Sequence, residues 1–155
     1  MSVPIRRQDR AISKNESFEI LSRGEFGVLS MSASDGSAYG VPLNFALWNG
    51  AIYFHSAMEG AKLTFLKVNN RVSFCVVGKT EVLPAQFGTK YESVILFGAA
   101  SEVEGEEKMQ ALMQLVQKYS PGLLAEGIQY IEKLGGQTKV MRISIDHISG
   151  KARRS

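Results

Sequence analysis

The dipeptide Asn49-Gly50, set between two apolar-rich runs, restricts the fold of this chain more than any other feature. Asn-Gly is typical of a two-residue β-hairpin turn, because both turn residues must take positive φ. The turn predicts one strand over 39–47 and another over 51–56. It also sets their register, with Trp48 opposite Ala51. The chain is therefore expected to contain a tight antiparallel hairpin.

The two faces of this hairpin differ in chemical character, since side chains alternate between faces along a strand. The same register places Phe45 opposite Phe54 and Asn44 opposite His55. One face is wholly apolar and is predicted to be core; it carries Leu43, Phe45, Leu47, Ile52 and Phe54. The other face is mixed and carries Pro42, Asn44, Ala46, Tyr53, His55 and Ala57. Small residues beside an amide and an imidazole suit a planar polar ligand better than bulk solvent.

Four helices are predicted around the hairpin. Ser13 followed by Glu16 is a capping box that starts a helix ending near Gly24, and a short helix follows over 59–68. Ser120-Pro121 is interpreted as the start of a last helix, which ends at Gly135-Gly136. The third helix is predicted from an apolar stripe at helical spacing, formed by Met109, Leu112, Met113, Val116 and Tyr119.

The other segments favour strands. Pro84 favours a loop or an edge excursion over 80–88, and Gly98 within a long strand indicates a bulge or a close backbone approach. Further strands are predicted over 26–32, 71–77, 91–103 and 140–148, with a tail after 149. At least six strands joined by tight turns indicate a mainly β fold with flanking helices, an antiparallel barrel in one domain over 1–155.

Composition excludes several classes of protein. A single cysteine, Cys75, cannot form an intrachain disulfide and suits a reducing compartment. No apolar run approaches the ~20 residues of a membrane span, and the polar, basic start is no secretory signal, so a cytoplasmic protein is expected. The net charge of +3 lies near the termini without the aromatic-interleaved basic stripe of a nucleic-acid binder.

Motifs for nucleophilic or metal chemistry are absent from the sequence. His55 and His147 are the only histidines, no Gly-x-Ser-x-Gly is present, and Cys75 lies in an apolar strand as a structural residue. Phosphate binding is better supported, because the chain leaves a strand at Ser56 and enters a helix carrying Lys62 in its first turn. The alternatives are a surface lysine, and for His55 a polar residue at an oligomer interface.

Several of these segments resemble the pyridoxamine 5′-phosphate oxidase-like superfamily, and within it the nitroimidazole-resistance-type flavoproteins. The resemblance extends from about Arg7 to the end of the chain. It is carried by Val41-Pro42-Leu43-Asn44-Phe45, Ile52-Tyr53-Phe54-His55-Ser56-Ala57, Gly60 with Lys62, Tyr91-Glu92-Ser93-Val94 and Gly150-Lys151.

The resemblance implies a split β-barrel homodimer that binds FMN between its subunits. The backbone of Val41, Pro42, Leu43 and Asn44 would lie along the isoalloxazine ring. His55, Ser56 and Ala57 would line the ring and ribityl chain, and Lys62 would bind the phosphate. Tyr91 and Ser93 are further pocket residues by the same resemblance, and Arg142 or the tail arginines are candidates for an anionic group.

The function implied is an FMN-dependent oxidoreductase that reduces a small electron-poor molecule, such as a nitroaromatic or a quinone. Without a Gly-x-Gly-x-x-Gly fingerprint, reduced nicotinamide would bind only transiently. The alternatives are a non-catalytic flavin-binding or redox-sensing module, and a barrel using deazaflavin or haem. Vitamin B6 oxidation is not expected, because the phosphate-binding arginines and C-terminal substrate motif of true pyridoxamine phosphate oxidases are missing.

Overall fold

The computed structural model describes residues 1–155, which form four α-helices and eight strands. The four α-helices are α1 (Lys14–Arg23), α2 (Ala61–Val68), α3 (Gly105–Tyr119) and α4 (Leu124–Leu134). The eight strands are β1 (Gly27–Ser32), β2 (Ala38–Leu43), β3 (Ala46–Trp48), β4 (Ala51–Ser56), β5 (Arg71–Leu83), β6 (Gly88–Val103), β7 (Lys139–Ser144) and β8 (His147–Arg153). None of the helices combines the length and apolar character that crossing a bilayer requires.

The strands form one sheet whose order is β2-β1-β5-β6-β7-β4-β3, with β8 paired to β6 beside this path. Every pair is antiparallel. Strand β6 pairs with β8 over Tyr91–Phe97 and then with β7 over Ala100–Val103. The two edge strands, β2 and β3, follow each other in the chain, so residues 44–45 connect the two edges of the curled sheet. The predicted antiparallel split barrel with flanking helices is confirmed.

The Asn49-Gly50 hairpin is present, with φ of 50° and 73° at its two turn residues and Trp48 opposite Ala51. The single strand predicted over 39–47 is wrong, because β2 ends at Leu43 and β3 begins at Ala46. The ladder ends at Ala46 opposite Tyr53. The pairs Phe45–Phe54 and Asn44–His55 are consequently absent from it, since at 44–45 the chain crosses between sheet edges.

Two side chains from the end of α3 hold this crossing and replace the missing ladder bonds. The Tyr119 hydroxyl accepts a hydrogen bond from the Phe45 N–H at 3.0 Å and donates to the Glu25 carbonyl. The Lys118 ammonium donates to the Phe45 carbonyl at 2.9 Å and lies 3.7 Å from the centre of the Phe45 ring. Burial lowers the pKa of Lys118 to about 8.

Replacing Tyr119 with Phe is expected to destabilise the fold by about 1–3 kcal/mol, because the Phe45 N–H loses its acceptor. The loss is measured as the free energy of unfolding in urea. Tyr130→Phe is the matched control, since the Tyr130 side chain is 64% exposed and its hydroxyl makes no hydrogen bond within the chain. Equal losses in the two variants would contradict the role given to Tyr119.

The barrel interior contains the apolar face of the hairpin. Phe45, Ile52 and Phe54 are fully buried there, and Leu43 and Leu47 pack against the same core, as predicted. Helices α1 and α2 contribute Leu21, Leu63 and Leu66 to it. The core is completed by Leu29, Met31, Val72, Phe74, Val76, Leu96, Ala100, Met141 and Ile143.

A second core, which the sequence did not indicate, lies on the outer side of the hairpin. Helices α3 and α4 cover Ala46, Ala51 and Tyr53 and pack Leu112, Leu115 and Ile131 against them. The buried side of α3 agrees with part of the predicted stripe, but Met109 is 36% exposed. Two of the six residues of the mixed face, Ala46 and Tyr53, are therefore helix-covered core, and the other four remain exposed.

Three predicted boundaries are wrong. The loop or edge excursion expected over 80–88 is shorter than that, because β5 continues to Leu83 through an irregularity between Val77 and Thr80 and β6 begins at Gly88. Ser120 ends α3 instead of starting α4, and Leu123 precedes the first turn of α4. The strand expected over 140–148 is two strands, because Asp146 turns the chain by donating its N–H to the Phe97 carbonyl. The predicted tail is largely β8.

Candidate functional site

The junction between β4 and α2 leaves its backbone donors free. Gly60, at φ 149°, precedes the first turn of α2, and no side chain caps the helix there. No acidic residue lies in that turn, and Lys62 within it is half-buried and forms no ion pair. A helix N-terminus already repels a cation, so an unpaired lysine there favours an anion at this position.

His55 lies close enough to Lys62 for that charge to act on its ring. Burial lowers its pKa below the ordinary 6.5, and the charge of the neighbouring Lys62 lowers it further. Among the other helices, α1 is closed by the Ser13–Glu16 capping box, and α3 and α4 carry acidic residues in their first turns. The N-terminus of α2 has neither a cap nor a local negative charge, which favours an anion there.

The lowered pKa of His55 predicts a pH dependence. A histidine that is harder to protonate when folded makes stability fall as the pH drops through 6.5, because the unfolded chain then binds the proton more strongly. The wild type is expected to lose more unfolding free energy between about pH 8 and about pH 5 than His55→Gln. Urea titrations of both proteins at each pH measure this difference. If the free energy of unfolding of the two proteins varies with pH in the same way, His55 does not have the lowered pKa described here.

Ser56 and Ala57 shape the loop between the strand and the helix. Ser56 is only 5% exposed, and its hydroxyl donates to the Ala57 carbonyl at 2.9 Å. The Thr138 hydroxyl donates to the Ser56 carbonyl at 3.0 Å, which ties the loop to the start of β7. Ala57 is exposed. The Ser56 oxygen retains acceptor capacity, while the loop backbone is held in place for a ligand.

Val41, Pro42 and Leu43 lie on β2, an edge strand that pairs only with β1. Val41 and Leu43 pack against the barrel core, and Pro42 points outward and is exposed. Alternate N–H and C=O groups along the unpaired edge are free, because an edge strand has no neighbour to bond them. A planar molecule with polar atoms on its rim can pair with such an edge.

Asn44 and His55 line the same pocket without being ladder partners. The pocket has a volume of about 350 Å³ and lies between α3, α4 and the end of the hairpin. His55 lines this pocket and also feels the charge of Lys62. The chain continues from His55 through Ser56 and Ala57 to the start of α2, so His55 links the pocket to the α2 junction.

Tyr91 and Ser93 are not part of this group within one chain. They lie on the first half of β6, opposite Arg153 and Lys151 of β8. His55 opposes Val140, which opposes Val103 at the far end of β6. The outer face that carries Tyr91 and Ser93 is wide and carries exposed apolar side chains, with Val77 57% and Ile95 43% exposed.

The other predicted anion-binding arginines are engaged elsewhere. Arg142 lies 3.8 Å from a Glu107 oxygen that also accepts the Tyr53 hydroxyl at 2.7 Å, and Arg154 pairs with Glu16 at 3.2 Å. Sequence reasoning missed Thr138, Lys118 and Tyr119, which hold the two backbone segments bordering the site. Nothing local to these residues signals that role, since each acts on a segment more than seventy residues away.

The barrel split along its β2 and β3 edges, together with the uncapped N-terminus of α2 and its Lys62, defines a class of small split-barrel proteins. The sequence profile of the family described as pyridoxamine 5′-phosphate oxidase matches residues 13–152. The chain belongs to this family. No curated protein matches the chain.

Solved structures share the fold across nearly the whole chain. A candidate 5-nitroimidazole antibiotic resistance protein from Bacteroides thetaiotaomicron has 24% identity and a TM-score of 0.74, over 91% of this chain and 85% of that one. An FAD-binding protein from Mesorhizobium loti has 26% identity and a TM-score of 0.64, over 94% and 98%. An FAD and heme binding protein from Mycobacterium smegmatis has 19% identity and a TM-score of 0.80, over 92% and 72%.

Proposed function

We propose that the protein binds the flavin nucleotide FMN at the β4–α2 junction and acts as an FMN-dependent oxidoreductase on a small electron-poor molecule, a nitroaromatic or a quinone. The observation that carries the proposal is Lys62, a half-buried and unpaired cation in the uncapped first turn of α2. A phosphate there would gain a charge-assisted hydrogen bond from Lys62 and further bonds from free backbone N–H groups.

The residues around the junction fit the rest of a flavin nucleotide. His55, Ser56 and Ala57 would lie along the ring and ribityl chain, with the Ser56 hydroxyl as an acceptor. The free edge of Val41, Pro42, Leu43 and Asn44 would face the polar rim of the isoalloxazine ring. FMN bound there would supply the redox chemistry, and the chain would supply orientation and charge.

The comparisons support a flavin as the ligand class. The Mesorhizobium loti structure is named as an FAD-binding protein and aligns with 94% of this chain. FMN is preferred here because the single cation, Lys62, provides for one terminal phosphate. Haem or deazaflavin is the alternative cofactor, and a module that binds flavin without turnover is the alternative function.

A homodimer completes the proposal. The outer face bearing Tyr91 and Ser93 is covered by no helix of this chain around the exposed Val77 and Ile95. A second copy seated on this face would bring Tyr91 and Ser93 toward the flavin of its partner.

The lone Cys75, whose pKa is raised by burial, suits a reducing compartment and hence the cytoplasm.

The absorption spectrum of the freshly purified protein tests the proposal. A flavin spectrum, FMN as the molecule released by heat, and bleaching by reduced nicotinamide under anaerobic conditions are the expected results. Bound flavin that no donor reduces would favour the non-catalytic module, and a Soret band would favour haem. A colourless protein that also fails to bind added FMN would overturn the proposal.

A further inference from the structure

The cavity between α3, α4 and the hairpin end is a second feature of the site with its own chemistry. It has a volume of about 350 Å³, and 8 of its 14 lining residues are hydrophobic. Leu112 and Leu115 from α3 line it together with Leu123, which precedes α4, and Leu134 at the end of α4. This volume lies at the small end of the range for small-molecule sites. The cavity therefore suits a compact apolar molecule.

The charges around the cavity discriminate against anions. Its lining contains no lysine or arginine, and Glu126 is its only acidic residue. A sulfonate, carboxylate or phosphate placed there would lose hydration without gaining a counter-ion, and would face the Glu126 carboxylate. The anion-accepting α2 junction and this cavity thus have opposite preferences, although His55 borders both.

Polar side chains lie on several sides of the lining, and two of them, Asn44 and His55, lie at the hairpin end. Asn44 and His55 are exposed and open to a ligand, whereas the Thr138 and Tyr119 hydroxyls are already bonded to backbone. A ligand can therefore place one polar edge against Asn44 and His55 and its apolar body among the leucines. That polar edge would point toward the proposed flavin site.

We propose that this cavity binds an uncharged planar aromatic molecule with a polar substituent at one edge, and that this molecule is the substrate class of the protein. Its role as electron acceptor rests on the flavin function proposed above. Its binding does not, because none of the cavity residues other than Asn44 and His55 is assigned to the flavin. The two proposals can consequently fail separately.

The fluorescence of Trp48 can report ligand binding in the cavity. It is the only tryptophan of the chain, and it packs against the second core, whose Leu112, Leu115 and Ile131 also line the cavity. Nitrotoluene titrated into the purified full chain, with and without added FMN, is expected to quench Trp48 fluorescence saturably. Nitrobenzenesulfonate, its anionic counterpart, is expected to show only weak, non-saturating quenching.

Filling the cavity should abolish this binding. Leu134→Phe on α4 and Leu115→Phe on α3 each add bulk to the lining and are expected to weaken nitrotoluene binding about tenfold or more. Leu124→Phe, on the same helix but outside the lining, is the matched control and should leave binding unchanged. Thermal unfolding monitored by circular dichroism shows which variants fold. Two positions are filled separately, so that the test remains possible if one of the two variants does not fold.

Three results would overturn the assignment. The first is unchanged nitrotoluene binding in a folded Leu134→Phe or Leu115→Phe variant. The second is equal saturable binding of the sulfonate. The third is weaker FMN binding in the filled variants with nitrotoluene unaffected, which would give the cavity to the cofactor. Nitrotoluene binding in a protein that fails to bind FMN would leave this site standing and remove only the flavin proposal.

Discussion

Replacing Lys62 with Ala is expected to weaken FMN binding by about 1.5–3 kcal/mol, which is roughly a ten- to 150-fold rise in Kd. The reason is the loss of a charge-assisted hydrogen bond at a helix N-terminus that has no other cation. Quenching of flavin fluorescence during titration of the apoprotein measures the change. Riboflavin, which lacks the phosphate, should bind the variant as it binds the wild type.

Lys67→Ala is the control for this experiment, because Lys67 lies in the last turn of the same helix and is exposed. Its removal changes the net charge and the helix composition equally but leaves the first turn intact. We expect its FMN affinity to match that of the wild type. If Lys62→Ala and Lys67→Ala behave alike, or if riboflavin loses as much affinity as FMN, the phosphate does not bind at Lys62.

The hairpin and the junction could be predicted because their determinants are local. Positive φ at Asn49 and Gly50 fixes the register over a few residues, and the chain passes directly from His55 to Lys62. The inward face of the hairpin followed from the same alternation. Local turn chemistry and side-chain spacing therefore gave the barrel core and one half of the candidate site.

The remainder depends on contacts between distant segments. The break at Asn44-Phe45 is held by Lys118 and Tyr119 from α3, whose own stripe predicted only burial. The outer core under α3 and α4 buries Ala46 and Tyr53, two residues of the hairpin face that was interpreted as ligand-binding. Tyr91 belongs to the flavin site only if a second chain brings it there, and one sequence does not contain that geometry.

Gly98 is the point where β6 changes neighbours, and its replacement by Ala is expected to cost about 3 kcal/mol of unfolding free energy. Phe97 is the last residue paired with β8, and Ala100 is the first paired with β7. A Cβ at Gly98 would overlap the backbone carbonyl of Ser144, whose hydroxyl also accepts the Ala99 N–H at 2.9 Å. Backbone cannot rotate away as a side chain can.

Gly40→Ala is the matched control, since Gly40 also lies within a strand but its added Cβ would be 3.5 Å from the nearest atom, a Val28 methyl. This variant should stay within about 1 kcal/mol of the wild type, with a small gain from a less flexible unfolded chain. Urea unfolding of both variants measures the contrast. Similar stabilities would mean that the chain is loosely packed around Gly98. The expected difference would show that close packing at Gly98 holds β7, the strand opposite His55, in place.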